Sequence, residues 1–109
     1  MARVFTALTS AARTASGSVD IGGIPEGQKE LLVYIDVTAA SGTSPSMTVT
    51  YQSSYDGTNF YDNTAGVAIT AAGRQLIKIP NTTGSYGRLS YALSGTSPSF
   101  TFSAVVEAK

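Results

Sequence analysis

The chain contains no cysteine, no histidine and no tryptophan, and only 13% of its residues are charged. Each absence excludes something. Without cysteine there is no disulfide and no thiolate chemistry, so the fold does not depend on the redox state of its compartment. Without histidine a serine nucleophile lacks its usual activating base, and lysine, the other common base, occurs only at Lys29, Lys78 and Lys109. No Gly-x-Ser-x-Gly is present, and the segment Gly22-Gly23-Ile24-Pro25-Glu26-Gly27 lacks the Gly-Lys-Ser/Thr of a phosphate loop. The charged share is about half that of an ordinary domain. Seven basic and seven acidic residues cancel to a formal net charge of zero, which argues against a nucleic-acid partner, because phosphate binding needs a basic surplus. No run approaches the roughly 18 apolar residues of a membrane span. The start, Met1-Ala2-Arg3-Val4-Phe5-Thr6-Ala7-Leu8, has one basic residue but no apolar core behind it, and is not expected to act as a secretory signal.

The 109 residues, 42% of them hydrophobic, suffice for one domain with a modest core. Normal apolar content with little charge is not the composition of a disordered chain. A neutral, hydroxyl-rich surface has weak colloidal repulsion and suits a protein packed against other subunits; a small neutral domain is the plainer reading.

Strand periodicity dominates. Leu31, Val33, Ile35 and Val37 share one face at period two, with Tyr34, Asp36 and Thr38 on the other. Met47, Val49 and Tyr51 alternate with Thr48, Thr50 and Gln52. Gln75, Ile77 and Ile79 alternate with Leu76 and Lys78 before Pro80. Leu89, Tyr91 and Leu93 alternate with Arg88, Ser90 and Ala92, and Phe100, Phe102, Ala104 and Val106 with Thr101, Ser103 and Val105. Weaker candidates are Val4–Leu8, Ser18–Ile21 and Val67–Thr70. Turn chemistry separates these runs at Gly22-Gly23, Pro25-Glu26-Gly27, Asp56-Gly57, Ala72-Gly73 and Asn81-Thr82-Thr83-Gly84. No stretch has a 3.6-residue period. The expected fold is therefore all-β: an antiparallel β-sandwich, jelly-roll-like or Ig-like, of seven to eight strands. Residues 21–109 form the sandwich domain. Residues 1–20, weakly apolar, form either an N-terminal edge strand or an assembly arm for a neighbouring subunit.

The hexamer Ser-Gly-Thr-Ser-Pro-Ser occurs twice, at Ser41–Ser46 and Ser94–Ser99, each time between two strand candidates. Glycine supplies a positive φ and proline cannot donate to a ladder, so each copy is expected to close a hairpin. The 53-residue offset aligns Leu89, Tyr91 and Leu93 with Asp36, Thr38 and Ala40. Either a bulge shifts one strand by a residue, or Tyr91 and Leu93 face outward.

The most distinctive stretch is Ser54-Tyr55-Asp56-Gly57-Thr58-Asn59-Phe60-Tyr61-Asp62. Asp-Gly marks a hairpin, with Phe60 expected in the core and Tyr61 at its edge. Asp56, Asn59 and Asp62 offer hard oxygens, but the EF-hand spacing with its terminal Glu is absent. Read as a glycosidase pair, Asp56 and Asp62 have no sugar-stacking tryptophan beside them; turn chemistry accounts for them better. Asn81-Thr82-Thr83 matches a glycosylation sequon and is read as a turn. Tyrosine is favoured where one end is dry and the other wet, so Tyr34, Tyr55 and Tyr86, with Val4 and Phe5 of the N-terminal segment, are the candidate interface residues. No catalytic residue, metal ligand or cofactor is expected.

In combination these motifs resemble small virion proteins of tailed bacteriophages. The resemblance rests on the strand Leu32–Thr38, the first hexamer and its strand, Ser54–Asp62, the Gly87–Tyr91 strand, the second hexamer, and the closing Phe100–Ser103 run. It covers roughly residues 30–106. It implies a β-sandwich that decorates or cements capsids, or serves as an accessory part of a head, neck or tail. Its partners would be the major capsid protein and copies of itself, as a homo-oligomer with a trimer favoured. It would be located in the virion and assembled in the host cytoplasm. The competing class is a carbohydrate-binding or adhesive module, with Tyr55, Phe60, Tyr61 and Tyr86 stacking on sugars.

Overall fold

The computed structural model describes residues 3–23, 30–80 and 85–109. Among them are six strands and no helix: β1 (Arg3–Arg13), β2 (Gly17–Gly23), β3 (Leu31–Ser54), β4 (Tyr61–Ala65), β5 (Gly73–Ile79) and β6 (Tyr86–Ala108). All pairings are antiparallel. The count is six, not seven or eight, because four of the expected strands merge in pairs. The runs from Leu31 and from Met47 form a single strand of 24 residues, and the runs from Arg88 and Phe100 one of 23.

β3 and β6 pair along their whole length, from Leu31 opposite Ala108 to Ser54 opposite Tyr86. Fully extended, 24 residues would reach about 80 Å. The longest dimension of the molecule is 43 Å, so the ribbon doubles back. Tyr91 and Phe102 prove it: eleven positions apart on β6, they would be separated by about 36 Å in a straight strand, yet their rings meet edge to face with centroids 5.4 Å apart.

The ribbon turns at the two hexamers, which do not close hairpins. They face each other across the ladder, with Ser41 opposite Ser99, Thr43 opposite Thr96 and Ser46 opposite Ser94. Each copy holds a left-handed serine, Ser44 at φ 50° and Ser97 at φ 49°, and a left-handed glycine, Gly42 at φ 117° and Gly95 at φ 107°. A side chain on Gly42 would sit 2.7 Å from the Ser97 carbonyl oxygen and 2.9 Å from that of Thr96; one on Gly95 would sit 2.6 Å from that of Ser44 and 2.9 Å from that of Thr43. The corner is therefore two-fold symmetric: each glycine lets the other copy's backbone approach. The turn residues are present for the reason expected, but their partner is a strand 53 positions away.

The corner divides the ladder into two limbs. In the first, β1 flanks β6 and β5 flanks β3, giving the order β1-β6-β3-β5. In the second, the order is β2-β6-β3-β4. Beyond β4, Ile69 exchanges backbone hydrogen bonds with Met47 at 2.7 and 2.8 Å, which is all that the expected Val67–Thr70 strand contributes. One core lies between the limbs. It takes Leu31, Val33, Ile35, Val37, Phe100, Phe102, Ala104 and Val106 from the first, with Met47, Val49, Tyr51 and Leu89 from the second. Arg13 stitches β1 to the seam. Its guanidinium donates to the carbonyls of Thr9, Ala11 and Phe102 at 2.9–3.1 Å and lies over the Phe102 ring at 4.7 Å.

The parity conflict is resolved by a bulge. Val37 opposes Phe102 and Ala39 opposes Thr101, so Thr38 is an extra residue on β3. The shift puts Leu31, Val33, Ile35 and Val37 of β3 inward in the first limb, and Tyr91 and Leu93 pack against the core from the second limb. The N-terminal segment lies on the same chain's β6 through both β1 and β2. Gly22 and Gly23, expected to turn, end β2 in ladder pairing. The Pro25–Gly27 and Asn81–Gly84 turns, with the sequon, lie outside the described residues.

Candidate functional site

The outer surface of the first limb is built by the residues that alternate with its core. Ladder register lays them in three rows. Glu107, Leu32 and Lys78 form the first, with Val4 beside Glu107; Val105, Tyr34 and Leu76 form the second; Ser103, Asp36 and Arg74 form the third. The middle row is largely apolar and open to solvent, with Tyr34 42% and Leu76 46% exposed; Val4, at the margin, is 63% exposed. A shallow groove of about 520 Å³ runs along it, lined by Tyr34, Asp36, Arg74, Leu76, Ser103 and Val105. The Tyr34 hydroxyl donates to Glu107 Oε1 at 2.7 Å. That bond, with desolvation and the carboxylate's charge, raises the phenol above the ordinary tyrosine value. Arg74 Nε stands 3.8 Å from Asp36 Oδ1, both exposed, a pair that solvent largely screens. Cations thus occupy β5 and anions occupy β3 and β6.

The second limb presents a different surface. Ser18, Ser90 and Thr50 make one cross-strand row, Asp20, Arg88, Gln52 and Asp62 the next. Gln52 donates to Asp62 Oδ1 at 2.7 Å and accepts from Arg88 Nε at 2.8 Å. Arg88 also lies over Phe60, 4.1 Å from the ring centre. Phe60 is therefore only half-buried beneath a cation and does not enter the core, which corrects its expected position.

The loop after β3 is held by its own polar atoms. Buried Ser54 accepts from the backbone N–H of Asp56 and Gly57 at 3.2 and 2.8 Å and donates to Asp56 Oδ1 at 3.0 Å. Asp56 in turn accepts from the N–H groups of Thr58 and Asn59, both at 2.9 Å, and from the Asn59 amide. These donors, led by the two backbone amides, hold the Asp56 carboxyl well below the usual carboxylate range. An aspartate so occupied closes a turn. Among the described residues no group of three acidic side chains gathers for a metal ion.

The five interface candidates separate. Tyr34 and Val4 share the first limb's outer surface. Phe5, two strands from Val33 through Val106, packs against the core. Tyr55, 68% exposed, stacks on Tyr61, 60% exposed, at 6.4 Å, beside the loop that leaves the second limb. Tyr86 lies against Gly57. The sequence reading missed Leu76 and Val105. The signal was present: both are apolar residues at positions that alternate with a core face.

One feature of the core is polar. Tyr51 is fully buried, and its hydroxyl has no hydrogen-bond partner among the described residues. Burial pushes that phenol up, offset in part by nearby Ser53.

No family model matches the chain, and no curated protein matches it by sequence. Solved structures do. The PBSX exported protein XepA superposes with a TM-score of 0.69 at 15% identity over 99% of this chain, which spans 36% of the XepA chain. A chain of the Broad Bean Stain Virus structure matches with a TM-score of 0.59 at 11% identity, over 97% of this chain and 82% of that one. PirA matches with a TM-score of 0.58 at 11% identity, over 99% and 93%. At such identities the likeness is one of fold, and it places this chain among all-β antiparallel proteins that include a component of a virus particle.

Proposed function

We propose that the chain is a structural virion protein, a capsid decoration or cement subunit whose two limbs are the layers of a β-sandwich. In that count β3 and β6 each serve both layers, giving four strand segments per layer. The observation that carries the reading is the first limb's outer surface, a cross-strand row of exposed Leu76 and Tyr34 with half-buried Val105 on a hydroxyl-rich molecule. Apolar side chains gathered on one sheet face of a soluble domain mark a contact surface. The fold likeness to a virus particle chain supports the same reading, although PirA shares the fold and a fold alone does not select a function. A cement subunit acts by mass action, binding the assembled lattice and so stabilising it. Many copies make weak contacts collectively strong. Its partners are the major capsid protein and copies of itself, it resides in the virion, and it carries out no turnover.

The test is direct binding. Purified protein is mixed with expanded capsid shells and with unexpanded ones, and the particles are sedimented. Saturable binding to expanded shells supports the reading; a protein left in the supernatant of both ends it.

The exposed Tyr55–Tyr61 stack favours a second reading, an adhesive module that binds glycans on an aromatic surface. A glycan array distinguishes them: saturable binding that disappears in Tyr55→Ala supports this second reading, and the absence of any hit removes it.

A further inference from the structure

The three rows on the first limb's outer surface can be compared with themselves. Taking Tyr34 as the centre, β5 lies on one side and β6 on the other. Lys78 and Glu107 are in the same row, on opposite sides of Leu32; Leu76 and Val105 are in the same row, on opposite sides of Tyr34. Rotation by 180° about an axis along β3, in the plane of contact, exchanges the two sides and keeps each row. Lys78 of one copy then opposes Glu107 of the next, Leu76 opposes Val105, and Tyr34 meets Tyr34. The two Asp36 side chains meet as well, flanked by the Arg74 of both copies. The other in-plane axis, across the strands, exchanges the outer rows. It sets Lys78 against Arg74 and Leu32 against Asp36, a like-charge pair and an acid on an apolar side chain. Only the first arrangement joins opposite charges and apolar rows together.

We propose that this surface binds a second copy of the chain, face to face, about a two-fold axis parallel to β3. The occupant follows from the charge pattern: cations confined to β5 and Glu107 confined to β6 complement each other only after that rotation. Sheets packed this way lie about 10 Å apart with strands within about 30° of parallel, near enough for Lys78 and Glu107 to reach across. The pair is a two-chain unit, in place of the trimer expected from the sequence. The inference deepens the assembly reading, since it identifies the surface used between copies, but its failure is separate from that of capsid binding.

The experiment measures mass against concentration by analytical ultracentrifugation at low salt. The wild-type chain is expected to reach the mass of two chains. Lys78→Glu and Glu107→Lys, each placing like charges in contact, are each expected to weaken association at least tenfold. The double variant, with the charges exchanged, is expected to return to within about threefold of wild type, because the rotation pairs the two positions. Leu76→Asp is expected to leave single chains, while Ser18→Asp on the second limb's outer surface leaves the pair intact. Unchanged thermal midpoints of the single variants show that folding is retained. A wild-type mass of one chain or of three overturns the proposal, as does a double variant no tighter than the single ones. If the wild type is one chain in solution yet still sediments with expanded shells, the pair is excluded and the assembly reading stands.

Discussion

The two limbs are made from the same two strands and leave the corner through the same six-residue sequence, yet their outer surfaces differ. The second presents Ser18, Ser90 and Thr50 beside a hydrogen-bonded row of Asp20, Arg88, Gln52 and Asp62. The first presents Tyr34, Val105 and Leu76 between ionic margins. One extra residue, Thr38, permits the difference. It moves the first limb into the opposite parity, so Val33 and Ile35 turn inward and Tyr34 turns outward. Repetition of the hexamer fixes the corner, and a bulge on one side alone makes the limbs unequal.

Crossing the two faces of the first limb should have the largest effect. Ile35→Asp carries into the core the carboxylate that neighbouring Asp36 holds at the surface, and leaves it buried without a partner. The expected outcome is a chain with no cooperative unfolding transition by circular dichroism; a folded, cooperative variant would show that position 35 does not face the core.

The hexamers are the part that the limbs share, and equal substitutions there should cost the same. Gly42→Ala and Gly95→Ala each place a methyl group about 3 Å or less from facing carbonyls in a left-handed backbone. Each is expected to lower stability by about 1–3 kcal/mol, equal between the two within error. Urea unfolding measures both, and a marked inequality would break the symmetry of the corner.

A smaller contrast concerns two tyrosines of β3. Tyr51 buries a hydroxyl in the second limb that has no hydrogen-bond partner among the described residues, so Tyr51→Phe should be neutral or raise stability by up to about 1 kcal/mol. Tyr34 sits at the surface of the first limb, and Tyr34→Phe should leave stability nearly unchanged. Thermal melts of the two variants in parallel make the comparison; a loss in Tyr51→Phe would mean that its hydroxyl is satisfied.

The smallest effect is on the loop that leaves the second limb. The folded carboxyl of Asp56 titrates below its unfolded value of about 3.9. Its stabilisation is therefore complete above the unfolded value and is lost as the pH falls from there toward the folded one. Melting temperature should fall below about pH 4, and less steeply in Asp56→Ala. Identical slopes would remove the loop from the acid response.

Much of this architecture was legible in alternation alone. The alternate residues of three stretches, from Leu31 to Val37, from Met47 to Tyr51 and from Phe100 to Val106, are marked by period two, and all of them are buried. Period two does not report which strand is a partner. Ser41–Ser46 satisfies the chemistry of a hairpin and of a folded ribbon equally, because both need a left-handed glycine and a proline outside the ladder, and only the distant copy distinguishes them. β4 was missed because Tyr61-Asp62-Asn63-Thr64-Ala65 is an exposed edge with no buried alternate. Phe60 was assigned to the core from hydrophobicity, but Arg88 supplies its cover. The surface is half legible: Tyr34 stands out as an aromatic side chain on the outer side, whereas Leu76 and Val105 sit in sequence among polar alternates, and only the ladder sets them on either side of it.

The central claim is that the first limb's outer surface is the contact surface and the second limb's is not. Sedimentation of two variants with expanded capsid shells tests it most directly. Leu76→Asp alters the apolar row of the first limb, and Ser18→Asp alters the hydroxyl row of the second by the same charge. The account predicts at least tenfold weaker binding for Leu76→Asp, whose single chains lose the avidity of the pair, and wild-type binding for Ser18→Asp; equal binding by the two variants, or loss confined to Ser18→Asp, would contradict it.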